Sequence, residues 1–375
     1  MDAFSGILGQ PKVRDFLRRS VVGDHVSQSY LFLGPAGSNK TQAAYALACA
    51  YLCNDKNSLG GQCGKCSECK KILAHKHPDV KYYSPEGQNA YLISQIREII
   101  HDTELAPVQA NKKVYIIDRV DLLGTGPANA FLKTLEDPIN NVCIILLGRC
   151  ATTILPTILS RCVCVPFRQI PPKEAIGIIS QNTGVDENKA KIALAASGNS
   201  ITNAIYMLES HDNSMLYLRE QLLGLILNSA NATDWEICKN AKEVLQLIKA
   251  PTDERRRQLE EEITKSEEFL STAAKKAIET SNKRGLKREE VKMISMVLDL
   301  CISVLYDILH IRCGNPDIAN IDMKQKIESL ANKANETVVV GAIEELRELK
   351  ASIAYNISSE SLVDLALFEI KGAFL

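Results

Sequence analysis

The chain has 375 residues, 46% of them hydrophobic, and its 44 Lys and Arg nearly balance 45 Asp and Glu for a formal net charge of −1. At about 150 residues per domain, this is too long for one ordinary core, and two or three domains are expected. The neutral balance argues against a stand-alone nucleic-acid binder, which normally carries a basic face, unless a partner in a larger complex supplies the charge. No apolar run comes near the roughly 20 residues that span a bilayer, and "MDAFSGILGQ" lacks the layout of a signal peptide. A cytoplasmic chain without membrane contact is therefore expected.

In chain order, "SYLFLGPAGSNKTQAAYALACAYLC" predicts a short buried strand at Tyr30–Leu33, a Gly/Pro loop, and an alanine-rich helix from Lys40. "KKVYIIDRVDLL" predicts a second strand, Val114–Ile117, ending in Asp118, and "NVCIILLGRC" a third, Val142–Leu147. Short apolar strands separated by helices such as "GPANAFLKTLEDP" imply a parallel sheet covered on both faces, with ligands at the carboxyl ends of the strands. After Phe167 the strand signals stop. Pro171-Pro172 opens a small helical module that breaks near Gly198, and from about Leu216 onward the pattern is helical, including the charged stretch "DERRRQLEEEITKSEEF", read as a solvated helix face. The last helices are apolar enough to pack as a bundle or against other subunits.

Of twelve cysteines, Cys53, Cys63, Cys66 and Cys69 are spaced C-x9-C-x2-C-x2-C in a segment that also holds Gly60, Gly61 and Gly64. In a reducing compartment such spacing does not read as a disulfide framework, and four thiolates that can surround one ion fit a closed, structural zinc site. His75 and His77 exceed the ligand count and are read as surface residues. The remaining cysteines, such as Cys143 and Cys238, lie singly and are read as core.

The stretch "GPAGSNKT" is one residue away from the phosphate loop G-x-x-x-x-G-K-[ST], with Asn39 where the second glycine belongs. Such loops converge backbone N–H groups and a helix N-terminus on phosphate while the lysine neutralises charge and the hydroxyl holds magnesium. Gly34, Gly37, Lys40 and Thr41 keep this apparatus, and Asp118 stands where magnesium would be held. Asn tolerates left-handed dihedrals, so the loop can still fold, but the added side chain leaves less room, and ATP binding is expected to be weakened or lost. Arg119 follows Asp118 where ATPases of this type carry a water-activating glutamate, and a guanidinium cannot accept a proton. Loss of a positioned base alone costs on the order of 10²–10⁴ in rate. Asp121 lies three positions past Asp118 and is expected to point elsewhere. Arg149 occupies the end of the third strand where a phosphate-sensing Asn or Thr is expected, and "SGNSITNAI" has no arginine for a second sensor.

Together "ILGQ", "SYLFLGPAG", the cysteine insertion, "NAFLKTLEDP" and "LPTILSRC" resemble the clamp-loader branch of the AAA+ proteins. The resemblance implies an AAA+ α/β domain at 1–166 with a zinc module at about 53–69, a helical lid at 167–212, and an all-α collar at 213–375. It further implies a subunit that completes the bacterial DNA polymerase III loader ring beside ATPase (tau/gamma) and delta subunits, reaches the sliding clamp indirectly, and meets primer-template DNA by its backbone. Arg161, in the Ser160-Arg161-Cys162 motif, would be an arginine finger acting in trans on a neighbour's ATP, while Ser160 and Cys162 shape and pack its base. Two rival readings are an active loader ATPase and a zinc-containing DNA-binding module on an AAA+ scaffold.

Overall fold

A computed structural model describes residues 4–23, 25–55, 63–86, 90–138, 141–209, 214–265, 272–315, 317–353 and 357–374. The expected Gly60 and Gly61 of the cysteine segment lie outside them. The chain divides into two compact units, one of residues 1–190 and 199–206, the other of 191–198 and 207–375.

The first unit is built on five parallel strands: β1 (Ser29–Leu33), β2 (Val80–Tyr83), β3 (Lys113–Ile117), β4 (Val142–Gly148) and β5 (Val163–Pro166). Their order is β2-β3-β4-β1-β5, with Tyr30 opposite Ile145 and Lys113 opposite Val142. The three predicted strands are the central ones, β1, β3 and β4. The two that sequence reading missed are edge strands: "VKYY" and "VCVP" are partly exposed and offer no continuous apolar run to read.

Alternating side chains along the strands build a core on each face. Tyr30, Phe32, Val114, Ile116, Cys143 and Ile145 pack on one side against α1 (Pro11–Val22) and α2 (Lys40–Leu52). Leu31, Tyr115, Ile117, Ile144 and Leu146 pack on the other against α4 (Ile93–Glu104) and α5 (Thr125–Glu136). The run Ala43–Ala50 is almost entirely buried, which explains why α2 is alanine-rich: small side chains let the helix lie close on the sheet. Between these elements come α3 (Ser67–Leu73) and, before β5, the short α6 (Pro156–Leu159). Then follow α7 (Pro172–Thr183), with proline at its first position as predicted, α8 (Glu187–Ala196) and α9 (Ile201–Glu209). Gly198 and Asn199, both left-handed, break the chain between the last two.

The second unit is helical among its described residues. Its largest elements are α10 (Ser214–Ser229), α11 (Asp234–Lys265) and α12 (Thr272–Arg312), followed by α13 (Lys324–Ala331), α14 (Glu336–Ser352) and α15 (Ser359–Gly372). Contrary to the sequence reading of apolar runs, Gly285–Arg312 of α12 is long and apolar enough to cross a membrane. Its composition has another explanation here: Ile294, Val297, Leu298, Cys301, Val304, Leu305 and Ile308 are buried in the core that the helices of this unit share. One polar network runs through that core. Arg219, 1% exposed, donates to Asp322 Oδ2 (2.6 Å) and Asn320 Oδ1 (2.6 Å), while Asn320 donates to the buried Asp307 carboxylate (2.8 Å).

Two of the smaller sequence readings change. Cys143 is buried as expected, but Cys238, Cys150, Cys164 and Cys313 are exposed, so solitary cysteines here are not uniformly core. His77 is buried rather than on the surface, because its ring is captured by a carboxylate from α3.

Candidate functional site

The near-miss phosphate loop joins β1 to α2, and the rest of the first unit holds it from three sides. Gly34 must lack a side chain: a Cβ there would lie 2.4 Å from the Phe167 carbonyl oxygen just beyond β5. Gly37 has φ +76° and its missing Cβ would meet Asn199 O at 2.4 Å, so the "SGNS" turn before α9 closes directly over the loop. Gln10 of "ILGQ", 3% exposed, donates from Nε2 to Ser38 O (3.2 Å) and Arg168 O (2.7 Å), joining the loop to the segment after β5.

Asn39 caps α2 with φ 65°, the left-handed backbone that glycine would otherwise supply. Its side chain reaches outward from the loop: Nδ2 donates to Leu8 O (2.9 Å) and Oδ1 accepts from Thr202 Oγ1 of α9 (3.2 Å). An 8% exposed amide with both ends bonded is a structural joint, and it ties the N-terminal segment, the loop and α9 in one place.

Lys40 folds back on the same loop. Its Nζ donates to Gly34 O (2.6 Å), Pro35 O (2.7 Å) and Ser38 Oγ (3.2 Å), three acceptors for the three N–H of an ammonium. Burial pushes its pKa down to about 8, Asp118 and Asp121 oppose that shift, and Arg149 and Arg119 reinforce it. The group is therefore still charged at neutral pH, with its donors already used. Thr41, at the start of α2, stands open to solvent, as does Ala36 in the loop.

Asp118, just past β3, is equally committed. Tyr82 on β2 donates to its Oδ2 (2.8 Å), the Arg119 N–H to its Oδ1 (2.9 Å), and the Tyr91 hydroxyl to its backbone oxygen. Burial and the Asp118 charge raise the pKa of the Tyr82 phenol, which keeps it a donor. Arg119 is left-handed at φ 53° and turns its side chain along the chain to Asp121 Oδ2 (3.0 Å). Among the residues given a site role by sequence, Lys40, Asp118, Arg119 and Arg149 thus gather at the carboxyl edge of the sheet, and Asp121, expected to point elsewhere, joins them through its pair with Arg119. Tyr82, Tyr91 and Thr202, which secure them, carried no motif.

Arg161 is bonded elsewhere. It follows α6, and its Nε donates to Glu136 Oε1 (2.7 Å), an Nη2 hydrogen goes to the same oxygen, and Nη1 donates to Thr157 O (2.9 Å) and Ser160 Oγ (3.2 Å). Cys162 is held against the core on the α5 face, where burial raises its thiol pKa to about 12.

Cys53, Cys63, Cys66 and Cys69 converge as the spacing predicts, with all four Sγ atoms within 4.8 Å of one another. Cys53 Sγ lies 4.0 Å from Cys66 Sγ and Cys63 Sγ lies 3.9 Å from Cys69 Sγ. Four thiolates around zinc at about 2.3 Å would stand roughly 3.8 Å apart, whereas a disulfide needs about 2.05 Å. Backbone N–H groups of Cys66 (3.2 Å) and Lys65 (3.4 Å) point at Cys63 Sγ and lower its pKa to about 6, favouring the thiolate a metal requires. Burial raises the pKa of Cys69, the charge that an ion would offset. The donor set fits a four-coordinate soft or borderline ion, with every position filled by protein.

A second layer fastens this cluster to the sheet. Glu68, beside Cys69 in α3, accepts from the His77 ring and from Gln109 Nε2 (2.8 Å). His77 Nδ1 accepts the Asp79 N–H (3.0 Å), which assigns the proton to Nε2, facing Glu68. Burial alone would raise the Asp79 pKa, but the N–H groups of Ala110, Val108 and Gln109 outweigh it and leave the carboxyl below its ordinary value.

Residues 9–171 match the family described as DNA polymerase III, delta subunit. The chain is 34% identical over 166 residues to DNA polymerase III subunit delta' of Bacillus subtilis (strain 168), covering 44% of this chain and 49% of that one. It is also 31% identical over 229 residues to the tau subunit of the same organism, covering 59% of this chain and 40% of that one. A solved gamma subunit-related protein of Thermotoga maritima is 16% identical with a TM-score of 0.47, over 96% of this chain and 99% of that one. The matched part spans half or less of the length of these two curated relatives. Over residues 9–171 the chain is thus similar to DNA polymerase III subunits. Both delta' and tau subunits are among the proteins it resembles.

Two outcomes follow from the loop. Asn39→Gly keeps the left-handed backbone but deletes both side-chain bonds, and should lower the stability of the first unit by about 1–3 kcal/mol in chemical denaturation without creating measurable ATP affinity. The Lys40 Cε resonance should titrate near pH 8. Because the unfolded chain holds that proton to a higher pH, this group's contribution makes stability rise with pH between about 8 and 10.5.

Proposed function

We propose that the chain is a non-hydrolysing subunit of a bacterial DNA polymerase III sliding-clamp loader, and that it donates Arg161 to the ATP site of a neighbouring ATPase subunit. One observation carries the first half: Lys40 and Asp118, the two charges that would hold nucleotide and magnesium, are satisfied by the chain itself, and Arg119 takes the place of the base. To bind ATP the loop would have to break three lysine bonds and open the Asn199 turn. The arginine supports the second half. It stands outside the chain's own loop on a short helix cap, as a fixed cation offered to another subunit would, and arginine fingers add roughly 10³–10⁵ in rate in related phosphoryl transfer.

In this reading residues 1–166 form the AAA+ domain, 167–212 a lid and 213–375 a collar that holds a ring of unlike subunits. Head-to-tail contacts of this kind are heterologous and need not close symmetrically. The partners would be the tau/gamma ATPase and delta subunits, with the clamp reached through them and primer-template DNA touched only along its backbone. Zinc at Cys53, Cys63, Cys66 and Cys69 would be structural. A second reading, an ATPase subunit of the same loader, draws on the similarity to tau. The tied Asp118 and the arginine beside it count against it.

Reconstituting the loader with Arg161→Ala tests the finger. ATP on the adjoining subunit should then turn over on the order of 10³-fold more slowly in a single-turnover assay, with assembly unchanged on gel filtration. Undiminished turnover in an intact assembly would remove the role. Metal analysis of the purified chain should find about one zinc per chain, falling to near zero in Cys66→Ser.

A further inference from the structure

Glu136 is oddly placed for a surface carboxylate. It is the last residue of α5, where the helix dipole presents its negative end and an acidic side chain is disfavoured. What it gains there is Arg161. A single oxygen, Oε1, accepts from both Nε and Nη2, while Nη1 is held by Thr157 O and Ser160 Oγ. Four of the five guanidinium donors are thereby assigned, and the plane of the group is set with one Nη2 hydrogen free. The spacing of the two residues is itself rigid: Leu135, next to Glu136, and Ile158, on α6, are 2% and 1% exposed and belong to one core cluster.

We infer that Glu136 is a positioning residue for Arg161: it holds the guanidinium in one orientation on the surface of the first unit, so that a neighbouring subunit's phosphate meets an ordered cation. This rests on the proposed role of Arg161 and assigns the element that aims it. A free arginine side chain must lose rotamer freedom when it docks, and a tether made before docking removes part of that cost from the reaction. The bond need not be ionic. Because both donors use one oxygen, an amide oxygen at the same position can accept them.

Two measurements test the assignment. In the isolated chain, the Arg161 Nε–H signal should show slowed guanidinium rotation by NMR, lost in Glu136→Ala and kept in Glu136→Gln. In the reconstituted loader, Glu136→Ala should lower single-turnover ATP hydrolysis at the adjoining site about 3- to 30-fold, less than Arg161→Ala does, with KM for ATP unchanged. Glu136→Gln should restore most of the rate, and Glu136→Ala combined with Arg161→Ala should be no slower than Arg161→Ala alone. If Glu136→Ala hydrolyses at the wild-type rate or faster, or slows the reaction further in the Arg161→Ala background, Glu136 does not act through the arginine. Loss of the NMR signature in Glu136→Gln would equally overturn the geometry. If Arg161→Ala itself has no effect, it is the finger reading that fails, whatever the NMR result.

Discussion

Lys40 spends its three N–H bonds on the loop that carries it, and much of the first unit's functional edge can be derived from that choice of partners. A cation in this position has to find acceptors; in a working phosphate site they arrive with the ligand. Here they are Gly34 O, Pro35 O and Ser38 Oγ, and the loop is locked around them by Gln10, by Asn199 packing over Gly37, and by the Asn39 amide. The residue that breaks the phosphate-loop pattern is therefore the one that joins three segments together. Asn39 meets the backbone requirement of the missing glycine through its left-handed dihedrals, and uses the side chain that glycine lacks to bond Leu8 and Thr202.

The same economy runs through Asp118 and Arg119. A carboxylate with a phenol on one oxygen and an N–H on the other is an anchor for β2 and the turn after β3. Arg119 turned onto Asp121 neutralises the place where a base would work. In the proposed loader the chemistry then falls to an arginine on a different surface, held by Glu136 at the opposite end of the same helix–strand scaffold logic: buried packing by Leu135 and Ile158 below, an ordered polar group above. The cysteine cluster follows that logic too, since Glu68, His77, Gln109 and Asp79 join its helix to the sheet by bonds independent of any ion.

The central sheet was legible because β1, β3 and β4 are buried on both faces and read as unbroken apolar runs; β2 and β5 were not, because edge strands need no such run. The four cysteines were legible from spacing alone, since three of them sit within seven residues. His77 was misread, because nothing in its neighbours announces that Glu68, nine residues earlier, will be turned toward it. The partners of the site residues were hidden for a similar reason. Tyr82, Thr202 and Glu136 reach Asp118, Asn39 and Arg161 across 36, 163 and 25 residues of chain, and such contacts exist only after the sheet has set the register. The apolar length of α12, which the sequence reading passed over, is that of a helix buried among other helices, whose apolar content equals that of a bilayer span.

The nucleotide-type site is satisfied by its own chain. Steady-state ATP hydrolysis by the isolated, purified protein, compared with Lys40→Ala, tests this most directly. Turnover indistinguishable from background in both is the predicted result; robust turnover that Lys40→Ala abolishes would contradict it.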